Sequence, residues 1–139
     1  MPLERGARIV VETLWGAIFE LAPSALRGDD TRAVHDMRVG IRRIRATMKS
    51  LSKAFSKKEA RATSRGMRRL GRKLGVVRDA DVHLAMLRAT LAGAPDVERI
   101  GIVFAIESLI ALKRAALAAY AIELSQFDRD TLARLRADG

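Results

Sequence analysis

Seven apolar residues, Val34, Met37, Ile41, Ile44, Met48, Leu51 and Phe55, follow one another at steps of three and four without exception. Only a helix gathers such a series on one side, because 3.6 residues complete a turn, so the spacing predicts a helix over about 31–55 that buries one narrow stripe. The same step returns in Ala60, Thr63, Met67, Leu70, Leu74 and Val77. No stretch alternates apolar and polar residues between hairpin turn signals, and the chain is rich in Ala, Leu, Arg and Glu with only three prolines. An all-α chain is expected.

The remaining helices are read around that pair. A first helix from about Leu3 to Ala22 is expected to bury Val10, Leu14, Ala17, Ile18 and Leu21, and Pro23, which lacks an amide hydrogen, to stop it. PSALRGDD then forms the turn, and Asp30 or Thr31 caps the second helix. The third helix begins near Lys57. Its seam runs into Asp81 and restarts in another phase at Leu84, Leu87 and Leu91, which predicts a kink or short break between Gly75 and Asp79, with Asp79 as a new cap. Gly93, Ala94 and Pro95 make the next turn. A fourth helix over about 96–126 is apolar around most of its girth, which predicts burial on two sides, and the tail DRDTLARLRADG adds a short helical turn. Four amphipathic helices with short connections predict an up-and-down antiparallel four-helix bundle, one domain over residues 1–139.

Charge is distributed as unevenly as the seam is regular. The 139-residue chain carries +10, but residues 35–78 hold fifteen Lys or Arg against two acids, Asp36 and Glu59. That segment is therefore +13 and the remainder −3, a basic centre on a mildly acidic frame that suits a polyanion. On the second helix, His35, Arg38, Arg42, Arg45, Lys49 and Lys53 fall within an arc of about 80° beside the apolar stripe and form a ridge about 27 Å long, with Arg43 pointing elsewhere. Basic stems commonly flank a core seam and meet acids on the next helix. Here the next helix supplies Arg61, Arg65, Arg68, Arg69, Arg72 and Lys73 instead, so the counter-charge is expected from an extended anionic ligand. Arginine outnumbers lysine in this region, which favours forked hydrogen bonding to phosphate oxygens. Aromatic residues are 4% of the chain and none lies within the ridge, which removes the stacking platforms of single-strand binders.

Other chemistry finds little support. The absence of cysteine excludes disulfides and thiolate metal sites and points to a reducing cytosol. No uncharged apolar run approaches eighteen residues, and MPLERGARIVVE carries two acids and no small-residue cleavage site, so a soluble cytoplasmic protein without a membrane partner is expected. His35 and His83 do not have the spacing of a metal site, and His83 reads as a surface residue. GMRRLGRK has the glycine spacing of a phosphate loop, but Arg72 and Lys73 replace its Lys-Ser/Thr and no strand precedes it. Gly71 and Gly75 read instead as places where a neighbouring helix comes close. Asp79 and Asp81 face different ways on a helix and lack a third acid, so they read as caps or as orienting partners of basic residues such as Arg78. No metal and no cofactor is expected.

VHDMRVGIRRIRATMKSL followed by LGVVRDADVHLAML resembles the CHAD family, the conserved-histidine α-helical domains. His35, Arg38, Val39, Arg42, Arg43 and Arg45 match that family's histidine motif; Leu74, Gly75, Arg78, Asp79, Asp81 and Val82 match its second signature. The resemblance covers essentially the whole chain. It implies a helical domain that binds inorganic polyphosphate through basic side chains, with no established catalytic activity, found alone, on polyphosphate granules, or joined to a triphosphate tunnel domain, whose Glu-x-Glu-x-Lys motif is absent here. The family domain usually has two such bundles, whereas this chain holds one, so it is expected to be either a half or a unit that pairs with itself, and a homodimer through the apolar fourth helix is the favoured expectation. The expected site comprises His35, Arg38, Arg42, Arg45, Lys49 and Lys53 on one wall and Arg61, Arg65, Arg68, Arg72 and Lys73 on the other, with Arg78, Asp79 and Asp81 in support. A nucleic-acid-binding module is the alternative, and an enzyme acting on polyphosphate or phosphate esters a third reading.

Overall fold

A computed structural model describes residues 2–132. Among them are four α-helices: α1 (Pro2–Leu26), α2 (Thr31–Ser50), α3 (Lys57–Ala92) and α4 (Asp96–Phe127). A 3₁₀ turn at Ser52–Ala54 joins α2 to α3, and one turn of π-helix at Asp128–Leu132 follows α4. The tail expected to add a helical turn does so as far as Leu132; Ala133 to Gly139 lie outside the described residues.

The helix starts follow from local hydrogen bonding. Asp30 caps α2 by accepting a hydrogen bond from the Ala33 amide at 2.9 Å. Ser56 and Glu59 form a reciprocal capping box at the start of α3. Helix α1 does not stop at Pro23, as the sequence reading had it, but runs on to Leu26, because Ala22 and Ala25 continue its buried face. It ends where Gly28 turns to φ +84°, a left-handed conformation that side chains disfavour.

Consecutive helices pack on one another, α1 on α2, α2 on α3 and α3 on α4. As α3 advances from Gly66 to Arg69 to Asp81, its partners on α4 retreat from Phe127 to Glu123 to Lys113, so these two helices are antiparallel. Contact between α1 and α4 is sparser and includes the Trp15 and Phe127 rings, 4.7 Å apart. The core is built on the two predicted seams: Val34, Met37, Ile41, Ile44, Met48 and Phe55 are buried from the first, and Thr63, Met67, Leu70, Leu74 and Val77 from the second.

Three expectations fail, each for a packing reason. On α1 the buried face is Ala7, Val11, Trp15, Ile18, Ala22 and Ala25; of the predicted set only Ile18 is fully buried, and Val10 and Ala17 are exposed. Trp15 has the largest area to bury, and alanines on either side of it let α1 approach its neighbours closely. Next, of the kink or short break expected at Gly75–Asp79, the break is absent: α3 is continuous there, so Asp79 lies in a helix interior and caps nothing. The seam shifts because α3 changes neighbours there. Thr31, the first residue of α2, lines the same cavity as Asp81 and Leu84, so at that level α2 begins and, among the described helices, α4 takes over as the neighbour of α3. Last, α4 buries Leu117, Tyr120, Leu124 and Phe127 but nothing in its first half.

Gly71 and Gly75 are not close-approach positions either. A methyl group on Gly71 would sit 3.8 Å from Ile41 Cγ2, an ordinary contact, and one on Gly75 would meet nothing. The close approaches are at Gly40 against Ile18 and at Gly66 against the Phe127 ring. Helix α1 is long and apolar enough to cross a membrane by length and mean hydropathy, 1.4 over its best window. The core helix of a soluble protein passes the same test, and Glu12 and Glu20 keep α1 from registering as an uncharged run.

Candidate functional site

The α2–α3 contact is apolar along its centre, and its flanks carry the basic residues. On one flank Arg38, Arg42 and Arg45 of α2 meet Arg68 and Arg72 of α3 around a groove of about 440 Å³, with Ile41 and Gly71 between them. The steps of four and three on α2, and of four on α3, repeat one arginine per turn, so each helix presents a column and the helix pairing faces the columns towards each other. Gly71 adds no side chain to fill the space.

Five guanidinium groups share this groove, and among the described residues none of them is paired with a carboxylate. The two acids of the basic segment are drawn away from it. Asp36 lines a separate cleft between α1 and α2 together with Arg43, the one arginine of α2 expected to point elsewhere. Glu59 is 3.5 Å from Arg8 and accepts the Ser56 amide hydrogen bond. Arg69 likewise leaves the groove and reaches Glu123 of α4 at 2.6 Å. Two unit charges one helical turn apart, about 5.4 Å, repel by roughly 0.8 kcal/mol in water, so the columns are tolerable in solvent but contribute nothing to folding. Their arrangement suits a ligand that carries closely spaced negative charge.

The predicted ridge is divided between more than one feature. Lys53 and Arg61 line a second cleft of about 510 Å³ beyond the end of α2, with Lys57, Phe55 and Ala60. Lys57 was not among the predicted site residues, although it precedes Arg61 by one helical turn. His35, Lys49 and Arg65 are exposed and Lys73 is half-buried, and none of the four lines either cleft.

The supporting residues part company. Asp81 is buried, and its partner is Lys113 of α4, at 2.5 Å, rather than Arg78; the Lys113 ammonium also donates to the Gly28 carbonyl oxygen. This joins α3, α4 and the α1–α2 turn at a single buried charge pair, a structural tie rather than a site. Asp79 and His83 are exposed, and Arg78 is half-buried. The cavity around that tie is larger, about 690 Å³, but Asp29 and Asp81 stand among its basic residues Arg27, Arg88, Lys113 and Arg114, so it offers an anion a mixed wall. Among the described residues no three of His, Asp and Glu cluster closely enough to hold a metal ion.

The family model of the CHAD domain matches residues 10–138, nearly the whole chain. No curated protein and no solved structure matches it.

Proposed function

This chain belongs to the CHAD domain family, helical binding domains associated in general with polyphosphate, and from that premise we propose that it binds inorganic polyphosphate along the α2–α3 groove without transforming it. The observation that carries this reading is that Arg38, Arg42, Arg45, Arg68 and Arg72 line one groove while the two acids of the basic segment lie away from it, Asp36 in a separate cleft and Glu59 beside Arg8. Arginine forks hydrogen-bond phosphate oxygens in pairs, and columns with one fork per turn suit a linear polymer of phosphates. Lys53, Lys57 and Arg61 extend the track, and His35, Lys49, Arg65 and Lys73 supply field at its margins. The scaffold for this track is an up-and-down antiparallel bundle, and its setting is the cytoplasm, on or near polyphosphate granules.

Arg42→Glu/Arg45→Glu puts two negative charges on the α2 wall at exposed positions. Its affinity for long-chain polyphosphate, measured by calorimetric titration at low salt, is expected to fall at least tenfold with helicity unchanged. Equal binding by the double variant rejects the groove. Competition against duplex DNA and RNA of matched charge separates the ligand classes: polyphosphate is expected to win, and nucleic acid winning establishes the other function. Incubation with polyphosphate and Mg²⁺ is expected to leave the chain length of the polymer unchanged.

A further inference from the structure

Helix α4 is apolar on two opposite sides, and among the described residues only one of them is packed within the chain. Its buried residues, Leu117, Tyr120, Leu124 and Phe127, centre about 170° around the axis from a second arc about 60° wide, counted at 100° per residue. That second arc carries Val97, Ile100 and Phe104 in its first half, Ala111, Ala115 and Ala118 in its second, and Ile122 at the end, with no charged residue among them. In a chain that is 30% charged, a solvent-facing helix side free of charge from Val97 to Ile122 is not a solvated surface. Val97, Ile100 and Phe104 are 93%, 81% and 70% exposed, and from Ala85 to Ala116 no residue is buried.

We infer that this face is the interface of a two-fold homodimer in which α4 packs antiparallel on α4 of a second copy. Three observations select a second copy of this chain. The first is area. The chain exposes 8776 Å², whereas a compact monomer of its 15.3 kDa exposes about 7,150 Å². The excess, about 1,600 Å², exceeds the roughly 800 Å² that each partner gives to a standard interface.

The second is shape. The face has large side chains in one half and small ones in the other, so reversing one copy sets bulk against space. With the axis between Leu109 and Ile110, Phe104 falls opposite the partner's Ala115, and Ser108 opposite the partner's Ala111, where small residues let the helices approach closely. The third is charge. Glu107 and Arg114 stand on the same edge of the face, and among the described residues neither is engaged in an ion pair. In a two-fold antiparallel pair the same edges meet, so Glu107 comes within reach of the partner's Arg114, and the contact is repeated about the axis. A parallel pair would instead set Phe104 on the partner's Phe104 and place the Glu107 and Arg114 edges of the two copies on opposite sides of the seam, out of reach of each other.

Sedimentation equilibrium of the full chain tests this. The expected mass is twice 15.3 kDa at micromolar concentration. Ala115→Arg, at an exposed position, is expected to give a folded monomer by circular dichroism. Glu107→Arg and Arg114→Glu are each expected to weaken association several-fold, and the two together to restore it, because the reciprocal pairs then reform with reversed sign. A wild-type chain that stays monomeric through the micromolar range overturns the inference. So does a dimer indifferent to Ala115→Arg, or a double charge reversal no tighter than the single ones, since an antiparallel α4 pair requires both responses.

Discussion

Tyr120 shows what a single buried residue contributes and where it is vulnerable. Its side chain is fully buried and its hydroxyl has no hydrogen-bond partner among the described residues. Burial in an apolar setting disfavours phenolate and raises the hydroxyl well above its ordinary value of 10.0. The unfolded chain therefore releases this proton at lower pH than the folded one. The stabilisation is fully present below pH 10 and is lost as pH rises from there towards the raised folded value. Tyr120→Phe is expected to flatten the loss of stability above pH 10, and at pH 7 to be neutral or stabilising by up to about 1 kcal/mol, since it removes an unpaired polar group from the core. Urea denaturation at pH 7 and pH 10.5 checks both. At this same scale the sequence identified the arginines but not which of them converge, because their side chains meet through the pairing of two helices. The helical angle had already set Arg43 aside and the expected walls left Arg69 out; the structure adds that Asp36 shares a cleft with the first and Glu123 binds the second.

Among the elements, α3 is the instructive one. Periodicity located it and its first contact stripe, and the phase change near Asp81 was read as a kink or short break; the helix is continuous there, and the change of phase accompanies a change of neighbour. Asp81 looked like an interruption of the seam. It is instead the α3 end of a buried pair whose Lys113 also holds the Gly28 carbonyl oxygen, so one charge pair links two helices to the turn between two others. Lys113→Met leaves the Asp81 carboxylate buried without its partner and is expected to cost about 3 kcal/mol, whereas Asp81→Leu/Lys113→Met, which removes both charges, is expected to recover most of that. Denaturant midpoints of the three proteins check the order. On α1, three consecutive apolar residues, Ile9, Val10 and Val11, left the face ambiguous by a rotation of one residue, and packing around Trp15 selected Val11.

For the whole molecule, the proposed function makes the charge asymmetry and the fold together a receptor for a polyelectrolyte. If the five groove arginines each neutralise one phosphate, counterion release of about 0.7 per contact, as for single strands, gives a slope near −3.5 in log affinity against log salt, or roughly a hundredfold loss between 50 and 200 mM. Arg42→Glu/Arg45→Glu is expected to make that slope shallower by at least about 1.4. Titrations of long-chain polyphosphate at four salt concentrations measure it, and a salt-independent affinity would point to a neutral ligand. The sequence by itself determined that the chain is helical, where the two central seams run and that the basic charge lies beside them, because helical period and net charge are local properties that neighbours cannot alter. Only the tertiary structure decided which arginines share a groove, which acids are held away from it, and which side of α4 is left uncovered. Each of those depends on the register and rotation of one helix against another, and these are set by residues far apart in the chain, such as Gly66 with Phe127 and Asp81 with Lys113.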